Sequence, residues 1–173
     1  MFTVGVTGHL RLPAEQLPDT AQEVKAFLAE TKAAHDEARV LSPCAEGADM
    51  LCAGLALELG LRLAVPLPMD SAEYRKDFST SAAEEFGRLL ALADEAFTVL
   101  PQEPLPPGLV PRGFYYRQAG IYVARHCDIL LAVWDGLEHD TVDGAGTWET
   151  VKLARQFGKA VHIISVYGYP DGP

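Results

Sequence analysis

Apolar residues in this chain fall into short runs of strand length, separated by longer segments with helical spacing. Phe2 to Thr7 is a β-type run closed by Gly8-His9. Leu17 or Pro18 to about Asp36 predicts a helix with Val24, Phe27, Leu28 and Thr31 on one face. Arg39 to Ser42 predicts a second strand, Glu46 to Leu59 an apolar helix stopping at Gly60, and Leu61 to Pro66 a third strand. Ser71 to Ala93 reads as one helix or two broken ones, followed by a fourth strand from Ala96 to Leu100. Five prolines between Pro101 and Pro111 dictate an irregular loop. Gly113 to His126 then predicts a helix, Asp128 to Trp134 a central strand, Gly146 to Phe157 the last long helix and Ala160 to Val166 the last strand. The tail Tyr169 to Pro173 is expected to fray. The strands show little alternation of apolar and polar positions, so both sheet faces should be covered. The expected fold is a single Rossmann-like, doubly wound α/β domain over residues 1–168, with about six mostly parallel strands and helices on both faces.

Composition narrows this picture. A chain of 173 residues fits one domain, large enough to bury roughly 70% of its unfolded surface. A formal charge of −10 argues against a broad nucleic-acid surface, because phosphate contacts need clustered Lys and Arg. No nucleic-acid partner is therefore expected, although a small phosphate ligand held by backbone N–H groups fits. Cys44, Cys52 and Cys127 lie far apart without Cys-x-x-Cys spacing. Their odd number, on a chain without a signal peptide, suggests reduced thiols and a cytoplasmic location. No apolar run approaches membrane-spanning length, so no membrane partner is expected. The histidines lack ligand spacing, so neither a metal nor a cofactor is expected.

Candidate chemistry gathers at strand ends, where open α/β sheets bind ligands. Three glycine-containing loops qualify: Thr7-Gly8-His9-Leu10-Arg11, Ser42 to Asp49, and the turn Gly144 to Thr147. Glycines let backbone approach a ligand closely, and a helix N-terminus behind them suits phosphate. Thr7, Gly8, Gly47, Gly144, Gly146 and Thr147 are the phosphate-binding candidates. Glu46 and Asp49 open a helix, either as residues favoured by its dipole or as ribose ligands. Trp134 and Asp135 stand at the mouth of the central strand, where Trp134 is either a base-stacking or a core residue. His9 is an acid, a base or a hydrogen-bonding loop residue. Phe114, Tyr115, Gln118, Ile121, Tyr122 and Arg125 give one helix more large side chains than a core stripe needs, which suggests a homodimer contact.

The blocks Val4-Gly5-Val6-Thr7-Gly8-His9, Ser42-x-x-Ala45-Glu46-Gly47-Ala48-Asp49, Tyr74-x-x-Asp77-Phe78, Cys127 to Gly136, and Gly146-Thr147-x-Glu149 with Ala154-Arg155 resemble the SLOG superfamily. That superfamily includes the Lonely Guy-type phosphoribohydrolases and sensor domains for nucleotide derivatives in bacterial defence. The resemblance runs from Thr3 to Ser165 and implies a nucleotide-type pocket. The enzymes carry Pro-Gly-Gly-x-Gly-Thr-x-x-Glu after the central strand. Here Trp134 replaces the proline, an insertion runs through Val142, and Asp143 replaces the first glycine. Thr150 falls at the catalytic glutamate, with Glu149 one residue early and rotated by about 100° on the helix. The enzymes' arginine in the preceding helix falls at Ala119, and Arg117 is the nearest substitute. The resulting expectation is a nucleotide-binding or nucleotide-sensing domain. The alternative is a nucleotide N-glycosidase in which Glu149, Glu46 or Asp49 stabilises positive charge on the ribose. A dehydrogenase is set aside, since the first loop lacks Gly-x-Gly-x-x-Gly.

Overall fold

The computed structural model describes residues 1–167, so the expectation for Tyr169 to Pro173 lies outside the described residues. Strands β1 (Phe2–Gly8), β2 (Ala38–Leu41), β3 (Arg62–Leu67), β4 (Glu95–Thr98), β5 (Ile129–Trp134) and β6 (Ala160–Ser165) form one sheet. Their spatial order is β4-β3-β2-β1-β5-β6, and every pairing is parallel. Between them run α1 (Leu17–Ala34), α2 (Ala48–Glu58), α3 (Ser71–Tyr74), a 3-10 turn at Arg75–Asp77, α4 (Thr80–Leu92), α5 (Arg112–His126) and α6 (Thr147–Gln156). This is the doubly wound α/β architecture that the apolar pattern predicts.

Each sheet face carries its own core. On one face Val24 and Leu28 of α1, Cys52 of α2, and Phe86 and Leu89 of α4 pack on Val4, Val6, Val40, Leu63 and Val133. On the other, Val123 and Ala124 of α5 and Val151 and Ala154 of α6 pack on Leu41, Leu130, Ala132 and Trp134. A strand covered on both faces has no polar side to display, which is why the strands read as continuous apolar runs. Each fully buried Leu, Val or Phe contributes about 1.5–3 kcal/mol relative to exposure.

Element boundaries shift by one or two residues from the sequence expectation, and at α2 and β4 the local reason is visible. Helix α2 begins at Ala48, two residues later than Glu46, because Gly47 takes φ +91° and breaks the helical path. The segment from Ser71 to Ala93 takes the broken form of the two expected, with the break at Phe78, and Ser79 restarts it by accepting the Ala82 N–H. Strand β4 stops at Thr98: the Val99 N–H still reaches Leu67 O, but Leu100 is already 79% exposed ahead of the prolines. The proline-rich loop is tied down by buried Gln118 of α5, whose Oε1 accepts from Gln102 N–H at 2.7 Å and Glu103 N–H at 3.0 Å. The aromatic residues of α5 also find partners within the chain. Tyr122 packs on Phe97 and His126, and Phe114 packs on Tyr115. No helix among the described residues is long and apolar enough to cross a membrane.

Candidate functional site

The chain lays down β1 to β4 outward in one direction, then crosses back to place β5 on the other side of β1. Such a reversal leaves a crevice at the carboxyl ends of the two strands where the order changes. A cleft of about 1210 Å³ opens there. Its walls are the loops after β1, β2 and β5, the start of α6, the stretch around α3, and one side of α5.

Thr7, Gly8 and His9 line the cleft, as expected from the first strand end. Gly8 is required by packing of the chain on itself: a Cβ there would stand 2.4 Å from Ala48 Cβ and 2.8 Å from Val133 O. The α2 N-terminus is seated on this loop, with Ala48 N–H donating to His9 O at 3.0 Å. Gly47 does not line the cleft, which corrects its reading as a phosphate-binding glycine. Its missing Cβ makes room for the backbone carbonyls of His9 and Leu10, not for a ligand.

His9 joins the loops after β1 and β5. Its Nε2 accepts the Asp135 N–H at 3.1 Å and lies 3.2 Å from Asp135 Oδ1, which in turn accepts from Leu137 N–H at 3.0 Å. Trp134 borders the cleft but is only 3% exposed. Its ring stacks on Trp148 at 5.8 Å and its indole N–H donates to Leu137 O. The base-stacking reading of Trp134 therefore gives way to the core reading.

Glu46 and Asp49 both line the cleft, with different surroundings. Glu46 accepts from Ser79 N–H at 3.1 Å and Ser79 Oγ–H at 2.7 Å, fastening α2 to the start of α4. Asp49 is buried in the first turn of α2, with a long 3.4 Å contact from Ala45 N–H. Burial pushes its carboxyl up to about 7, against smaller lowering effects of Ala45 and Ser42.

At the far end, Gly146 and Thr147 line the cleft, whereas Gly144, Arg117 and Glu149 do not. Glu149 is buried and accepts from Thr141 N–H, Thr141 Oγ1–H and Gly146 N–H, so its carboxylate already fills the anion position at the α6 N-terminus. Its expected catalytic part is replaced by anchoring the 137–146 loop. Arg117 donates to Glu103 through Nε and Nη2 and to Gly144 O through Nη1, bracing the proline-rich loop against the turn. A guanidinium held this way is no ligand contact, and Gly144 is its backbone partner. Gly146→Val is expected to lose stability, because a Cβ there would meet Glu149 Oε2 at 2.6 Å and Thr141 Cγ2 at 3.0 Å. A loss of about 2 kcal/mol, seen as a lower urea midpoint, is the expected result. An unchanged midpoint would show that this anchor yields without cost.

Several lining residues lie outside those singled out in the sequence. Arg11 is the one Lys or Arg side chain in the cleft lining. Tyr74, Asp77, Phe78 and Ser79 arrive from α3 and the segment behind it, and Tyr116 arrives from α5. The Tyr74-x-x-Asp77-Phe78 block was the signal for the first three in the sequence. Arg112 locks this wall: its Nε donates to both Asp77 oxygens at 3.1 Å and its Nη1 to Glu73 at 3.0 Å. Tyr116 bonds the same Asp77, and burial with that carboxylate pushes its phenol up to about 12. Ala119 and Thr150 also line the cleft. Among the described residues no group of three His, Cys, Asp or Glu side chains is placed to hold a metal ion.

No protein-family model and no curated protein matches the sequence. Solved structures match in fold. DNA processing protein A from Streptococcus pneumoniae aligns with TM-score 0.65 and 17% identity over 98% of this chain and 52% of its own. DNA processing protein A from Helicobacter pylori, described for its single-stranded DNA binding mode, aligns with TM-score 0.63 and 16% identity over 96% of this chain and 66% of its own. The structural-genomics target TM1055 aligns with TM-score 0.55 and 18% identity over 93% of this chain and 72% of its own. This chain thus spans about half the length of the Streptococcus protein. The expectation of no nucleic-acid partner is overturned, since the same fold belongs to a protein that binds single-stranded DNA. Net charge counts the whole surface, whereas a strand can be held in one crevice. From the order of its six parallel strands and these three alignments, the chain has a doubly wound, Rossmann-like fold shared with these proteins.

Proposed function

We propose that the chain binds a nucleotide unit, free or within single-stranded nucleic acid, in the crevice between β1 and β5, and does not cleave it. The observation that carries this reading is the pair of positions where the related enzymes have their arginine and glutamate. Both line the cleft, and both are uncharged here: Ala119 and Thr150. The neighbouring charged residues, Arg117 and Glu149, are spent on loop anchoring. A binding site remains, without the arginine and the glutamate at the two positions those enzymes use. The cleft volume of about 1210 Å³ exceeds the roughly 300–1,000 Å³ typical of small-molecule pockets, leaving room for more than one nucleotide. The known fold of a single-stranded DNA-binding protein supports the same reading.

With Arg11 the one Lys or Arg in the lining, few phosphates are neutralised, and affinity should fall with salt at a slope of about −1 on logarithmic axes. The test is fluorescence anisotropy with a labelled single-stranded 12-mer, calorimetry with nucleoside monophosphates, and chromatography for released base. Binding without base release is expected, and Arg11→Ala should weaken it about tenfold. Base release would overturn the non-catalytic reading, and failure of both probes to bind would overturn the whole proposal.

A further inference from the structure

Tyr74 ends α3 and is only 4% exposed. Edge contacts with Phe78 at 4.8 Å and Phe86 at 5.5 Å fix its ring. Its hydroxyl has no hydrogen-bond partner among the described residues, and it is not sealed off, because the residue lines the cleft. A buried phenol normally finds a partner for its O–H. Here the available partner is whatever enters the cleft.

Asp49 supplies the second group. Asp49 is 6% exposed, lines the same cleft, and its carboxylate pairs with no Lys, Arg or His among the described residues. It lies close enough to Tyr74 to help keep the phenol protonated, after burial itself. The other carboxylates of this wall are engaged: Glu46 with Ser79, Asp77 with Arg112 and Tyr116. Asp49 therefore keeps acceptor capacity for a ligand, and a carboxylate can accept two parallel N–H donors.

The surroundings exclude phosphate from this part of the cleft. Three carboxylates, Glu46, Asp49 and Asp77, would repel it. Pro43, Pro68 and Phe78 add flat apolar surface, which suits an uncharged planar ring with N–H groups on one edge. Among the common bases, guanine alone carries two adjacent donors, N1–H and the 2-amino group, beside an acceptor, O6. Adenine and cytosine place an acceptor next to their amino group. Uracil and thymine flank a single N–H with carbonyl oxygens, and each arrangement sets an acceptor against the carboxylate.

We propose that Asp49 and Tyr74 form a guanine-selective base subsite, in which the Asp49 carboxylate accepts from N1–H and the 2-amino group while the Tyr74 hydroxyl donates to O6. This rests on the reading of the cleft as a nucleotide site and adds the identity of the base.

Calorimetry with the five monophosphates GMP, IMP, AMP, CMP and UMP at pH 8 tests it on the full chain. GMP should bind best, with IMP, which lacks the 2-amino group, weaker by about tenfold, and the other three weaker still. Tyr74→Phe keeps the ring packing and should weaken GMP several-fold without changing UMP. Asp49→Asn replaces one acceptor by a donor, so it should lose GMP at least tenfold and gain XMP, whose C2 carbonyl meets the new amide N–H. Loss alone also follows from a damaged cleft, whereas the gain for XMP does not. Equal affinity for GMP, AMP and UMP in the parent protein would overturn the base subsite while leaving nucleotide binding standing. GMP affinity unchanged in both variants would overturn it as well. If no monophosphate binds, the subsite falls together with the reading on which it rests.

Discussion

Asp49→Asn is expected to make the protein more stable at pH 8 and to flatten its stability between pH 5 and pH 8. The Asp49 carboxyl is raised from 3.8 to about 7, chiefly by burial. As pH rises from about 4, the unfolded chain gives up this proton while the folded chain keeps it. Across that window the folded state binds more protons, so stability falls with rising pH until the folded carboxyl also ionises near 7. A shift of this size corresponds to about 4 kcal/mol at full linkage. Local adjustment reduces this, and about 2 kcal/mol of added stability in the variant at pH 8 is the expected outcome. Near pH 4 the two proteins should differ little. Urea titrations at pH 5 and pH 8 measure both. Parallel pH profiles for parent and variant would show that Asp49 ionises in the folded protein much as it does in the unfolded chain. A carboxylate held at such a cost, beside an unpartnered phenol in a cleft, is the kind of group that serves binding more than stability.

The fold was legible because its cause is written in the central strands. Val4, Val6, Leu131 and Val133 serve one face of the sheet, and Leu130, Ala132 and Trp134 serve the other, so no strand position needed to be polar. The helix face of Val24, Leu28 and Thr31 is buried as its spacing implies. The start of α2 moved where a single backbone angle decided it, at Gly47. The site was legible only at the strand ends. Thr7, Gly8, His9, Glu46, Asp49, Asp135, Gly146 and Thr147 do meet in one cleft. A glycine in a sequence does not say whose atoms fill the space its side chain leaves. At Gly8 and Gly47 those atoms belong to the chain itself, and at Gly144 they are the Arg117 side chain. Nor does the spacing of Glu149 and Arg117 show that each has a loop partner far along the chain. Tyr116 was hidden for the converse reason: it sits in a helix whose pattern accounts for it as packing, and only the tertiary fold turns it toward the crevice.

The largest single loss expected from a small substitution is at Gly47. Its backbone, at φ +91° and ψ −124°, lies where residues with a side chain rarely sit. The strain of placing an alanine there costs of order 1–3 kcal/mol. The new Cβ would also lie 2.3 Å from Leu10 O and 2.5 Å from His9 O. Both are backbone atoms, which cannot rotate aside as a flexible side chain would. Relieving the clash means moving the loop after β1 away from α2, and with it the bond from Ala48 N–H to His9 O. Gly47→Ala should therefore cost about 4 kcal/mol or more, a fall in melting temperature of roughly 10 °C for a domain of this size. The same displacement would carry His9 and Arg11 out of register with Asp135, so nucleotide affinity should fall in whatever fraction stays folded. Gly108→Ala is the control: its φ is +80°, but no atom lies within 4 Å of the added Cβ. That variant carries only the backbone strain, about 1–2 kcal/mol. If calorimetric melting shows equal losses for the two variants, the close seating of α2 on the β1 loop contributes nothing beyond the backbone angle. A clear excess at Gly47 would mark that contact as the joint holding this side of the cleft together.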